Sequence, residues 1–182
     1  MNPAQNTHTV SAEDYIRQNG EETDWDEIPN DVNGLSEEFM TEFQDILDWG
    51  WVSCIQKNLT EDMIRKFQDK VNWDWVSTDR MLSEDFIIEF RDRVNWKKIS
   101  QFQNLSEEFM SEFHDYIDWE YASCHQKMSE DFISEFKGRV DWNHISRYQI
   151  LSDDFIQEFR RCQGGAHKKA FPHATKTRPP KI

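Results

Sequence analysis

The chain of 182 residues is 14% aromatic, with eight Trp, and carries a formal net charge of −14. That is enough apolar material for a buried core despite a hydrophilic average, while no apolar run approaches the ~18 residues of a membrane span and the start, MNPAQNTHTV, lacks the charged head and apolar core of a signal peptide. One soluble, intracellular folded body is expected, and its charge is split: residues 1–159 hold 14 basic and 35 acidic residues, leaving −21, whereas 160–182 hold seven basic residues and no acid, so direct binding of nucleic acid or membrane by the body is not expected.

Residues 1–9 lack periodicity and are expected to be disordered. Residues 10–34 read as a degenerate capping repeat: VSAEDYIRQNGEETDWDEI is a worn copy of the repeats downstream of it, joined to them through the breaker-rich stretch from Pro29 to Gly34. From residue 35 to 163 the chain is a tandem array. Trp25, Trp49, Trp73, Trp96, Trp119 and Trp142 are 24, 24, 23, 23 and 23 residues apart. Leu35, Leu59, Leu82, Leu105, Met128 and Leu151 open successive copies at 24, 23, 23, 23 and 23. A fixed period of this length marks a solenoid.

The copy from Leu82 to Asn104, LSEDFIIEFRDRVNWKKISQFQN, serves as the type. Leu82, Phe86, Ile87, Phe90 and Val94 lie at offsets 0, 4, 5, 8 and 12, one apolar stripe at roughly 100° per residue. Ser83 is placed as N-cap, and Glu84 and Asp85 fill the first turn, where negative charge meets the positive helix end. A long first helix from Ser83 to about Val94 is predicted. Asn95 then caps a shorter second helix with Trp96, Ile99 and Phe102 at offsets 0, 3 and 6 as its core face, and Asp24, Asp48, Asn72, Asp118 and Asp141 take the same cap position in the other copies.

A leucine-rich repeat needs a strand of alternating Leu, which is absent, and a coiled coil is interrupted by a cap in every copy. The predicted class is therefore all-α, an α-solenoid of ~23-residue helix-turn-helix repeats. The last copy keeps only its first helix and stops at Gly164-Gly165, and residues 164–182, with Pro172, Pro179, Pro180 and scattered Lys, form a basic tail expected to be disordered alone. Cys54 and Cys124 sit five residues after a repeat Trp, three copies apart. Stacked helices would hold them roughly 25–30 Å from each other, too far for a disulfide, which fits a reducing compartment. The copies from Leu35 and from Leu105 resemble each other more than their neighbours, which suggests duplication of a three-repeat block.

The LSEDF…DRVNW..IS..Q pattern, over roughly residues 35–160, resembles tandem repeats in proteins of giant DNA viruses and large phages. The resemblance implies a viral origin and a role against a host protein or within the particle. It brings no catalytic residues.

Two surfaces offer candidate partner-binding residues. The position two after each repeat Trp holds Glu27, Trp51, Trp75, Lys98, Tyr121 and His144, about 200° from the Trp around the helix and variable in chemistry, so it is expected to face out. Exposed Trp51, Trp75 and Tyr121 would be of the kind enriched in interface hot spots; the alternative is that they pack onto the next copy. The paired acids that open the first helices, Glu84/Asp85 and Glu107/Glu108 among them, would stack into an acidic ridge, explained by helix-dipole stabilisation or used to attract basic partners and imitate the phosphate ladder of DNA.

Cys162, His167 and His173 lack paired metal-ligand spacing, His114, His125 and His144 have no nucleophile and orienting group beside them, and no glycine-rich phosphate loop is present. No cofactor, metal or enzymatic activity is expected. The expected function is a non-enzymatic protein–protein interaction scaffold, with host or viral proteins as partners. An acidic DNA mimic and a virion component anchored by its basic tail are the alternatives.

Overall fold

The computed structural model describes residues 10–28, 34–56, 58–79 and 81–162. The expected disordered ends, 1–9 and 164–182, and the connector over 29–33 lie outside them. Among the described residues there are twelve α-helices and no strand: the protein is an α-solenoid of tandem helix pairs. The chain divides into two compact units, residues 1–82 and 83–182, where the sequence suggests one body.

The first unit begins with α1 (Ala12–Asn19) and two 3-10 turns, Gly20–Glu22 and Trp25–Glu27, the worn capping repeat. It continues with α2 (Glu37–Glu42), α3 (Trp49–Ile55), α4 (Glu61–Lys66) and α5 (Trp73–Asp79). The second holds α6 (Glu84–Glu89), α7 (Trp96–Phe102), α8 (Glu107–Glu112), α9 (Trp119–His125), α10 (Glu130–Glu135), α11 (Trp142–Tyr148) and α12 (Asp153–Cys162). Both predicted caps operate in the type repeat. Ser83 Oγ accepts the Phe86 N–H at 3.2 Å and Asn95 Oδ1 the Lys98 N–H at 3.3 Å, satisfying donors that a helix start leaves open.

The first helix is shorter than its stripe. α6 spans six residues and ends at Glu89, not near Val94. Phe90 turns out of helical geometry at φ −109°, ψ 27°, and the chain continues in tight turns, with the Arg93 and Val94 N–H groups both donating to the Phe90 carbonyl. The carbonyl of Arg91, freed by this turn, accepts the Trp96 indole Nε1–H at 2.8 Å. The same bond runs from Trp49, Trp73, Trp119 and Trp142 to the carbonyl five residues earlier, at 2.9–3.0 Å. The recurring Trp thus terminates the preceding helix as well as starting the next one. Val94 is still buried, as are Phe86, Ile87 and Phe90 of the same unit.

Second helices stack on one another, α3 on α5 in the first unit, and α7, α9 and α11 in the second. Within the second unit Trp96 and Trp119 each pack onto the Phe pair of the next copy: Trp96 lies 6.1 and 6.0 Å from Phe109 and Phe113, and Trp119 lies 6.2 and 5.0 Å from Phe132 and Phe136.

Candidate interaction surface

Polar residues that recur from copy to copy are consumed by bonds between copies. Ser100 and Ser123, four residues after their Trp, are fully buried. Each hydroxyl donates to the Trp carbonyl one turn back and accepts the N–H of the next copy's cap, Asp118 and Asp141, at 2.9 Å. Ser53 does the same for Asn72 at 2.8 Å in the first unit. Buried Gln126 and half-buried Gln149 hold the repeat ends. Gln149 accepts the Met128 N–H at 3.2 Å and donates to the Ser123 and Gln126 carbonyls at 3.2 and 2.7 Å. Reading the sequence alone misses this ladder, although the Ser that stands four places after Trp49, Trp73, Trp96, Trp119 and Trp142 is its signal.

The acidic ridge is likewise divided. In the pairs that open with Glu84, Glu107 and Glu130 the first acid reaches to the next copy: Glu84 Oε1 accepts the Ser106 N–H at 2.6 Å and its Oε2 the Ser106 hydroxyl at 3.1 Å. Glu107 and Glu130 bond Ser129 and Ser152 through the same two atoms. Glu84 and Glu107 are half-buried and engaged in this ladder, while Asp85 and Glu108, the second acids, are exposed. In each of these two pairs the second acid is the more exposed.

The residues two places after the repeat Trp differ from one another in burial. Trp51 is half-buried and packs on Trp25, ring centroids 5.6 Å apart, the packing alternative rather than a free outward ring. Trp75 is 41% exposed. Lys98 is half-buried with its Nζ 5.5 Å above the Phe102 ring. Tyr121 lies under Lys97 Nζ at 5.0 Å and stacks on His125 at 6.3 Å. His144 stacks on Tyr148 at 5.9 Å, and its Nδ1 sits 3.4 Å from Asp141 Oδ1, close enough for an ion pair on protonation but making no hydrogen bond.

Phe102 corrects the sequence reading. Offset 6 places it in the core, yet it is 44% exposed, as are Ile55 (49%) and Tyr148 (57%) at the same position. Six residues advance a helix by about 240° from the Trp, close to the 200° of the second position, so positions two and six form one outward face. In the second helices of 83–162 this face carries exposed Phe102 and Tyr148 and half-buried Lys98 and Tyr121, the last a correction to its expected exposure, and Lys97 and Arg147 are exposed on its flank.

Two titratable groups depart from their ordinary values. Burial, followed by the Glu27 and Asp24 carboxylates, pushes the Tyr15 phenol up. Burial also raises the Cys124 thiol, against a smaller lowering by its hydrogen bond with Tyr148. Cys54 and Cys124 are free thiols. Among the described residues no three His, Cys, Asp or Glu side chains converge as a metal site, and no helix is long and apolar enough to cross a membrane. The Cys162 side chain, His167 and His173 lie outside the described side chains. No protein-family model, curated protein or solved structure matches the chain.

Proposed function

We propose that this protein is a non-enzymatic interaction scaffold that binds another protein through the outward faces that the second helices present within each unit. The observation that carries this reading is the contrast between the two kinds of repeat position. Residues that recur from copy to copy, the Trp, Ser and Gln, are spent on holding copies together, while positions two and six after the Trp vary and place Trp75, Phe102 and Tyr148 in solvent. Exposed aromatic side chains on a stack of helices are what protein interfaces use as anchors. A viral origin, which rests on the resemblance of the repeat, and an intracellular site of action belong to the same proposal.

The acidic-mimic alternative has one observation in its favour, the row of exposed second acids that includes Asp85 and Glu108. It is weakened because Glu84 and Glu107 already serve the ladder. Nuclease-treated capture from the native host separates the readings when the wild-type chain is run beside Trp75→Ala/Tyr121→Ala and Asp85→Asn/Glu108→Gln. Protein partners lost only with the aromatic variant support the scaffold. Partners lost only with the acid variant support mimicry and contradict it.

A further inference from the structure

Over the three complete copies of the second unit, α6 to α11, charge is sorted between the two helix layers. The first helices α6, α8 and α10 read EDFIIE, EEFMSE and EDFISE, nine acids and no base. The second helices α7, α9 and α11 read WKKISQF, WEYASCH and WNHISRY, with Lys97, Lys98, Arg147 and two His against the single acid Glu120. The cap carboxylates Asp118 and Asp141 lie beside them and keep their charge while accepting backbone N–H bonds, so that three bases stand against three acids in this layer. In a body of −21, the aromatic face is thus nearly neutral, and its cations Lys97, Lys98 and Arg147 stand among the rings.

The cations and rings form one surface rather than isolated spots. Lys97 of one copy covers Tyr121 of the next at 5.0 Å, and the following second helix, stacked on α9, carries Tyr148 against His144 at 5.9 Å. Phe102 and Tyr148 stand exposed toward either end. From this the geometry points to an acidic polypeptide segment carrying aromatic or aliphatic side chains as the partner of this face. Its carboxylates meet Lys97, Lys98 and Arg147, and its apolar groups rest on Phe102, Tyr121 and Tyr148. This identification rests on the scaffold reading above.

Size argues for a peptide over a nucleic acid. Three stacked helices at ~8–10 Å spacing give a face roughly 20 Å long between its outer axes. A short peptide with a few carboxylates fits within it. A phosphate ladder, uniformly charged, runs past its ends onto a strongly negative body, where repulsion is felt over ~10 Å at 0.1 M salt.

The full chain is titrated, at about 0.1 M NaCl, with a fluorescein-labelled hexapeptide of Glu and Asp bearing two Phe, about 20 Å when extended, with its Gln/Asn counterpart, and with a six-nucleotide thymidine strand. The acidic peptide is expected to bind about tenfold more tightly than either. Lys97→Glu/Lys98→Glu should remove that preference, whereas Arg91→Glu, an exposed charge in the turn after α6, should keep most of it. Equal binding of the acid and amide peptides, preference for the oligonucleotide, or equal loss with Arg91→Glu would overturn the assignment. A selection from a random peptide library tells this failure from that of the scaffold. Ligands that depend on Phe102 and Tyr148 without acid enrichment leave the face standing and remove the acidic partner. A selection with no ligand dependent on those residues counts against both.

Discussion

The side chain of Gln126 closes its repeat onto Leu105: the Leu105 N–H donates to Gln126 Oε1 at 3.1 Å across 21 residues of chain. Both residues are buried, and the amide Nε2 donates at the same time to the Ser100 and Gln103 carbonyls of the preceding copy, at 2.9 and 2.7 Å. One side chain therefore satisfies three buried backbone groups. Gln126→Leu keeps the volume and leaves all three without this partner. The expected cost is about 2–4 kcal/mol, read as a lower urea midpoint for the full chain. Gln126→Glu should also destabilise, because a carboxylate accepts from Leu105 but cannot donate to the carbonyls.

The serine rung offers an internal control. Ser123→Ala strands the part-buried Asp141 N–H and should cost about 1–2 kcal/mol. Ser146 holds the equivalent place in the last complete copy, where its hydroxyl bonds the Asn143 carbonyl at 3.0 Å in an exposed contact. Ser146→Ala should stay within about 0.5 kcal/mol. Equal effects of the two changes in urea unfolding would contradict the ladder.

The repeat, its caps and its apolar stripe are legible in the sequence because Trp, Leu and the capping Asn or Asp recur at a fixed interval, and each has a direct helical meaning. Phe102 misleads because offsets 0, 3 and 6 look periodic while drifting around the helix, so that Ile99 is fully buried and Phe102 half in water. The first helix reads too long because Val94 is as buried as the stripe requires. A chain of turns delivers it there as well as a helix would. Ser100 and Gln126 escape a sequence reading because polar side chains are ordinarily assigned to the surface, and their partners lie in other copies. Trp51 is an even choice between exposure and packing, and its neighbour Trp25 belongs to the worn first copy, whose register is the least regular.

Trp119 and Trp96 should respond differently to truncation. Trp119 is buried at 9% exposure, whereas Trp96 is only half-buried although it packs on Phe109, Phe113 and Tyr116. Trp119→Ala should cost about 3–5 kcal/mol and Trp96→Ala less, because part of its surface is already wet. In both positions Phe should recover the packing but not the bond to the turn carbonyl, placing it between Trp and Ala in thermal unfolding.

Cys124 should alkylate slowly with iodoacetamide at neutral pH, since burial holds its thiol protonated above the ordinary range. Tyr148→Phe removes the opposing hydrogen bond and should move the pH profile higher still. Peptide mapping of the labelled chain isolates this site from Cys54. Because the folded state holds the proton more tightly, this thiol's contribution to stability is full below the unfolded pKa and is lost as pH rises through the folded one.

The most direct test of the interaction face uses a peptide ligand selected on the full chain, titrated calorimetrically against two variants. Phe102→Ala/Tyr148→Ala removes exposed rings, and Asp85→Asn/Glu108→Gln removes exposed ridge charges without touching the Glu84 and Glu107 ladder. The expected result is a loss of about 2 kcal/mol or more with the ring variant and unchanged affinity with the acid variant. Affinity that survives loss of both rings and falls with the ridge carboxylates would contradict the assignment of binding to the second-helix face.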